Sequence, residues 1–144
     1  MNAFEGDKPN TTRIEYAEGN SADAKTLLVI DDDESVLKVN VRILRQLGYA
    51  VYSSSSGPAA VKMYKEQQKE IAAVLSDMIM PEMSGLDVHK ELVKINPEVK
   101  FIIVSGYSNN IKKDVLKALG VNAYISKPFA INELNNTVRK VLDT

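Results

Sequence analysis

The 144-residue chain has no cysteine, no tryptophan and a single histidine, His89. Without cysteine there are no disulfides, thiolate metal sites, iron–sulfur clusters or cysteine nucleophiles. A single histidine excludes a multi-histidine metal centre. Long apolar runs are also missing: Leu27–Ile30, Ile71–Leu75 and Phe101–Val104 fall far below the ~18 residues of a membrane span. The N-terminus lacks the apolar stretch of a signal peptide. Eighteen basic residues stand against nineteen acidic ones, for a net charge of −1, so there is no cationic excess for gripping nucleic-acid phosphates. What remains is a chain with 44% hydrophobic residues, enough for one ordinary core. A soluble, cytoplasmic protein that neither inserts in membranes nor binds nucleic acid is expected.

Residues 1–25 differ from the rest. They carry Gly6, Pro9, Asn10, Gly19, Asn20 and Ser21 among scattered charges, and Phe4, Ile14 and Tyr16 form no periodic face. They read as a flexible tail or linker; the alternative is the end of a preceding domain, with a strand over Thr11–Tyr16. The folded domain is expected over 26–144. There, short strands (Leu27–Ile30, Tyr49–Ser54, Ile71–Ser76, Phe101–Ser105, Ala123–Ser126), three of them near-continuous apolar runs, alternate with helical spacings. The helices are expected at Ser35–Leu47, from Pro58 to about Gln68, Ser84–Ile95, Asn110–Leu119 and Asn132–Leu142. Val36, Val39, Ile43, Leu44 and Leu47 supply the apolar face of the first helix, with Gly48 as its C-cap. Near-continuous apolar strands are those covered on both faces. Strict alternation predicts a doubly wound parallel sheet with helices on either side.

In such sheets ligands bind beyond the carboxyl ends of the strands. The residues at those ends are Asp31-Asp32-Asp33, Asp77, Ser105-Gly106 and Lys127-Pro128. Carboxylates from two strands, a hydroxyl and an ammonium would meet in one small region. Clustered carboxylates repel one another, so a cation is needed to hold them together. An all-oxygen site suits Mg²⁺. With the metal and Lys127 present, Asp77 could act as a carboxylate nucleophile and form an aspartyl phosphate. Each residue also has a plainer role: an acidic residue after a strand often caps the next helix, as expected of Asp33. Met78, Met80 and Met83 are expected to pack around the loop after Asp77 rather than bind a soft metal. His89 is expected at the border of the core rather than as a phosphodonor or base.

Four segments carry a family resemblance: Leu28–Glu34, Leu75–Gly85 (with the pattern Asp-x-x-Met-Pro-x-Met-x-Gly), Val104–Tyr107 and Tyr124–Phe129. Together they resemble the motifs of response-regulator receiver domains over Thr26–Thr144. The resemblance implies a flavodoxin-like (βα)5 fold with strand order 2-1-3-4-5. It also implies Mg²⁺-dependent (or Mn²⁺-dependent) phosphorylation of Asp77 by a histidine kinase or phosphotransfer domain. Asp31, Asp32, Asp77 and the Ile79 backbone carbonyl would hold the metal, with Asp31 acting largely through water. Lys127 would pair with the phosphoryl group, Ser105 would be the switch hydroxyl, and Tyr124 the aromatic residue that follows it. The Lys127–Pro128 bond is expected to be cis, as is typical of the family.

Ser105 stands where the family more often has Thr, and Gly106 where it usually has Ala. The Ser-Gly-Tyr version is similar to receivers fused to sensor kinases. No matched chemical position is lost. The resemblance implies a signalling domain rather than an enzyme, with at most weak self-phosphotransfer and autodephosphorylation. Its output would be a downstream protein or a second copy, met on the face of the fourth helix, fifth strand and fifth helix. Ile79 and Tyr107 would shield the phosphoryl group from water. The chain ends just after the fifth helix, so either a stand-alone receiver or a piece of a larger sensor or regulator is expected. A rival enzyme reading, a small haloacid-dehalogenase-like phosphatase, would use Asp31 as nucleophile with Ser105 and Lys127. A third reading is a structural module that never takes phosphate.

Overall fold

The computed structural model describes residues 12–15, 24–106 and 113–144. In chain order the elements are β1 (Thr12–Glu15), β2 (Thr26–Ile30), α1 (Glu34–Gln46), β3 (Ala50–Ser54), α2 (Gly57–Gln67) and β4 (Ile71–Asp77). Then come α3 (Gly85–Ile95), β5 (Phe101–Gly106), α4 (Lys113–Ala118), β6 (Ala123–Lys127) and α5 (Ile131–Leu142). One sheet holds all six strands in the order β1-β3-β2-β4-β5-β6. The five strands β2–β6 are parallel, and their order is the 2-1-3-4-5 expected of a flavodoxin-like receiver fold. Crossover helices on both faces explain why Leu27–Ile30, Ile71–Leu75 and Phe101–Val104 read as apolar runs rather than alternating ones.

β1 is the addition. It pairs antiparallel with β3, Thr12 opposite Ser54 and Glu15 opposite Val51. Thr12–Glu15 is therefore a strand on the outer edge of the sheet, within the stretch expected as a tail; it matches instead the alternative of a strand over Thr11–Tyr16. Its four residues are too few to show alternation, and the pairing that forms them is non-local. The predicted start of α4 at Asn110, like Tyr107, lies outside the described residues.

The sheet separates two cores. Leu28, Ile30, Tyr52, Val74, Phe101 and Ile103 meet Ala60, Tyr64, Val88, Leu92 and Leu116 on one side. Leu27, Val29, Val51, Leu75, Ile102 and Val104 meet Leu37, Val41, Leu44, Leu134, Val138 and Val141 on the other. Successive strand residues thus point to opposite faces. In α1 the buried residues against the sheet are Leu37, Val41 and Leu44; of the expected face only Leu44 is among them, with Ile43 and Leu47 partly buried at its edge. Val39 is 55% exposed, and with Val36, Asn40 and Ile43 it lines an apolar cleft of about 470 Å³ beside Lys127, Pro128 and Phe129. The helix carries two apolar rows, and periodicity alone does not say which one meets the sheet. No described helix is long and apolar enough to cross a membrane.

Candidate functional site

The backbone delivers five chemical groups from four strand ends to one edge of the sheet. Asp31 and Asp32 follow β2, Asp77 ends β4, Ser105 is the penultimate residue of β5, and Lys127 ends β6. Register holds them level: Asp77 pairs with Val104, Ser105 with Ser126, and Gly106 with Lys127. One ligand oxygen from each of Asp31, Asp32 and Asp77 lies within 4.8 Å of the others. Asp31 is buried, Asp77 half-buried and Asp32 exposed.

Neighbouring groups fix these carboxylates. The Asp33 N–H donates to Asp31 Oδ1 at 2.9 Å, while Lys127 Nζ reaches Asp31 Oδ2 at 3.1 Å and Asp77 Oδ1 at 3.7 Å. The Met78 N–H donates to Asp77 Oδ1 at 2.9 Å. Asp33 caps α1, accepting from the Ser35 and Val36 N–H groups, as its position after the strand predicted. Burial pushes the Asp77 carboxyl above its ordinary range and the Asp31 charge adds to this; Lys127 and the Met78 N–H pull it partly back. A carboxyl whose neutral form is favoured by desolvation and a like charge is primed to gain from a bound cation. Three convergent carboxylates with no sulfur or imidazole fit a hard divalent ion such as Mg²⁺.

The remaining expected residues are placed as follows. Ser105 is fully buried, and its hydroxyl lies 3.5 Å from the Gly106 carbonyl oxygen as donor. Tyr124 is half-buried on β6 and packs against the core cluster that contains Phe101 and Leu116. The Ile79 side chain is 62% exposed at the mouth of the loop. Met78 and Met80 are buried and Met83 packs against them, so the methionines pack the loop. The Lys127–Pro128 bond is cis.

Two supports escaped sequence reading. The Ser54 carbonyl at the end of β3 accepts the Asp31 N–H at 3.2 Å, fixing the acidic turn; from sequence Ser54 is only the end of a strand. Gly57 opens α2 so close to the loop that a Cβ there would stand 2.6 Å from Met83 Cβ. Gly85 is a second place of close approach, its N–H donating to the Met78 carbonyl at 2.7 Å. A Cβ on it would overlap the Asp77 carbonyl oxygen. Gly85→Ala is therefore expected to cost about 1–3 kcal/mol through overpacking, measured by urea denaturation; an unchanged midpoint would contradict this contact.

A doubly wound α/β domain with an acidic, cation-fitting cluster and a lysine at its switch point is the class these observations define. The response regulator receiver domain profile matches residues 27–139, and the chain belongs to that family. It is 36% identical over 131 residues to the sensor kinase CckA of Brucella abortus, a match covering 91% of this chain and 14% of that protein. Across the first curated relatives it matches, the chain spans 14% to 50% of their length. A crystal structure of a receiver domain protein from Clostridium thermocellum superposes with a TM-score of 0.79 at 28% identity, over 83% of this chain and 94% of that one. The receiver domain of the sensor histidine kinase PA1611 from Pseudomonas aeruginosa shares the fold, with a TM-score of 0.75 at 24% identity over 84% and 99% of the two chains. That structure holds a magnesium ion in its active-site cleft. Membership of this family sets aside the phosphatase reading.

Proposed function

We propose that Asp77 is the phosphoacceptor of this receiver domain, taking a phosphoryl group from the phosphohistidine of a histidine kinase or phosphotransfer domain. The observation that carries this is the meeting of Asp77 with Asp31, Asp32 and Lys127 from three separate strands. In the transfer, an Asp77 carboxylate oxygen forms a bond to phosphorus as the phosphorus–nitrogen bond to the donor imidazole breaks. The electron pair leaves with that nitrogen, which takes up a proton. Asp31, Asp32, Asp77 and the Ile79 carbonyl would hold Mg²⁺ (or Mn²⁺), Asp31 largely through water. When bound, the ion neutralises charge on the phosphoryl oxygens. Lys127, already turned toward two carboxylates, pairs with the phosphoryl group. The apolar cleft of α1 beside Lys127 offers contact area to a protein donor, in keeping with cytoplasmic signalling.

The output follows from the same arrangement. Ser105 donates to a phosphoryl oxygen, and Tyr124 fills the space that its inward movement vacates. The face of α4, β6 and α5 is remodelled as a result. Val115 on α4, Leu119 in the turn after it and Ile131 on α5 are large apolar side chains about half exposed, which supports this face as the contact for a downstream protein or a second copy. Mg²⁺-dependent labelling with acetyl phosphate, followed by peptide mapping, is expected to place the phosphate on Asp77. With beryllofluoride, amide shifts should extend over α4, β6 and α5; shifts confined to the loop after Asp77 would refute the output face. Ile79→Asn/Tyr107→Glu should hasten phosphate decay, and unchanged decay would refute shielding.

A further inference from the structure

Among the described residues, one buried side-chain nitrogen has no hydrogen-bond partner: Nε2 of His89. His89 lies on α3 and is only 4% exposed. Its ring stands edge-on to Phe101, with centroids 4.9 Å apart. It also meets the turn that ends α4: a Cβ on Gly120 would stand 3.8 Å from Cε1 and 3.9 Å from Nε2. Gly120 holds φ at +92°, a conformation that glycine adopts without strain. Beside the ring lies a cleft of about 430 Å³, lined by Leu86, Asp87, Lys90, Val93 and Leu119 as well as His89. Nε2 itself is sealed off from this space.

We propose that His89 is an acid-sensitive latch, its protonation coupled to withdrawal of α4 and the Leu119–Gly120 turn from α3. A protonated imidazole has two N–H donors and needs two acceptors, and Nε2 has no hydrogen-bond partner among the described residues; the Gly120 backbone bonds the ring. Burial holds its pKa below the ordinary value, and that bond offsets this in part. No carboxylate enters the balance. Asp87, at the rim of the cleft, is engaged by the Ser84 N–H in the cap of α3, and Lys90 carries the wrong sign. On α4, Lys113, Asp114 and Lys117 are exposed. Lys100, next to Phe101, is bound to the carbonyls of Leu142 and Thr144.

The element that yields is α4. Among the described residues α4 buries one side chain, Leu116, whereas α3 has a reciprocal N-terminal cap and four buried residues. Once the turn lifts, cleft water reaches Nε2 and the charged ring is hydrated. By linkage, whatever displaces α4 also makes His89 easier to protonate. Acid and the receiver's output would then act on one helix; that last step rests on the proposed function, whereas the latch does not.

Because His89 is the only histidine, its imidazole resonances in the full chain are unambiguous. Titration by NMR is expected to give a midpoint below ~6.5. Amide exchange of residues 113–121, corrected for intrinsic rates, should report an opening equilibrium that rises as pH falls from ~6.5 toward that midpoint, by at most about tenfold per pH unit. His89→Phe and His89→Leu should flatten this dependence. Leu116→Ala, which keeps the histidine and loosens α4, should move the imidazole midpoint up toward its ordinary value. Identical pH dependence in wild type and the His89 variants, or a midpoint indifferent to Leu116→Ala, would overturn the latch. Neither measurement involves phosphate, so failure here is distinct from failure of the phosphoacceptor reading.

Discussion

Asp77→Asn is expected to abolish phosphoryl uptake while making the fold more stable at neutral pH. Loss of uptake should be complete, because an amide offers no anionic oxygen to phosphorus. The gain in stability comes from the folded site holding the Asp77 carboxyl above the ordinary 3.8 through burial and the Asp31 charge. Above that raised pKa the folded chain carries a charge in a place that favours the neutral acid, whereas the unfolded chain does so freely. Wild-type stability therefore rises as pH falls from the raised folded pKa toward 3.8, since the native state binds the extra proton in that window. Asparagine carries no such dependence. The advantage of the variant is full at neutral pH and shrinks through the window. Urea melts of both proteins across that range, with a phosphodonor labelling assay at neutral pH, check both halves. Labelling of the variant at the wild-type rate would remove Asp77 from the reaction.

Mg²⁺ is expected to stabilise the folded chain saturably, by about 2.7 kcal/mol at 100-fold excess over its dissociation constant. The unfolded chain cannot gather Asp31, Asp32 and Asp77 within 4.8 Å, so the ion binds the native state selectively. Chelation should reverse the gain in full. Asp32→Ala should remove most of it, and since Asp32 is exposed that variant should fold normally without metal. As pH falls through the raised pKa of Asp77, protons compete for the same oxygens and the Mg²⁺ effect should weaken. Thermal melts at constant ionic strength separate specific binding from screening. A melting temperature indifferent to Mg²⁺, or an equal response in Asp32→Ala, would rule out a metal at this cluster.

The chain order of strands and helices was legible because Leu27–Ile30, Ile71–Leu75 and Phe101–Val104 are short apolar runs and Gly, Pro, Asp or Ser punctuate the chain between elements. Periodicity and punctuation report local backbone preference directly. The chemical candidates were legible for a related reason. Asp31, Asp77, Ser105 and Lys127 all stand where a run of core residues stops, and a polar side chain there has to face either solvent or a site. The Asp33 cap could be read as well, since it depends on N–H groups two and three residues away.

Pairing and packing were decided by the folded chain. Whether Thr12–Glu15 joins the sheet depends on an open edge at β3, 39 residues from Thr12 to Val51 along the chain. Which apolar row of α1 faces the sheet depends on the strands beneath it. Lys127 meets Asp31 across 96 residues, so its grip on two carboxylates has no local signature. The state of His89 is the clearest case. A lone histidine near two leucines reads as a core-border residue, and its unpaired nitrogen arises only because Phe101 and Gly120, from two other segments, close around it. Residue types at strand ends, set by local sequence, determined what chemistry this chain can do. The distances, burial and missing partners that tune that chemistry are sums over non-local contacts, which exist only once the sheet and its helices have packed.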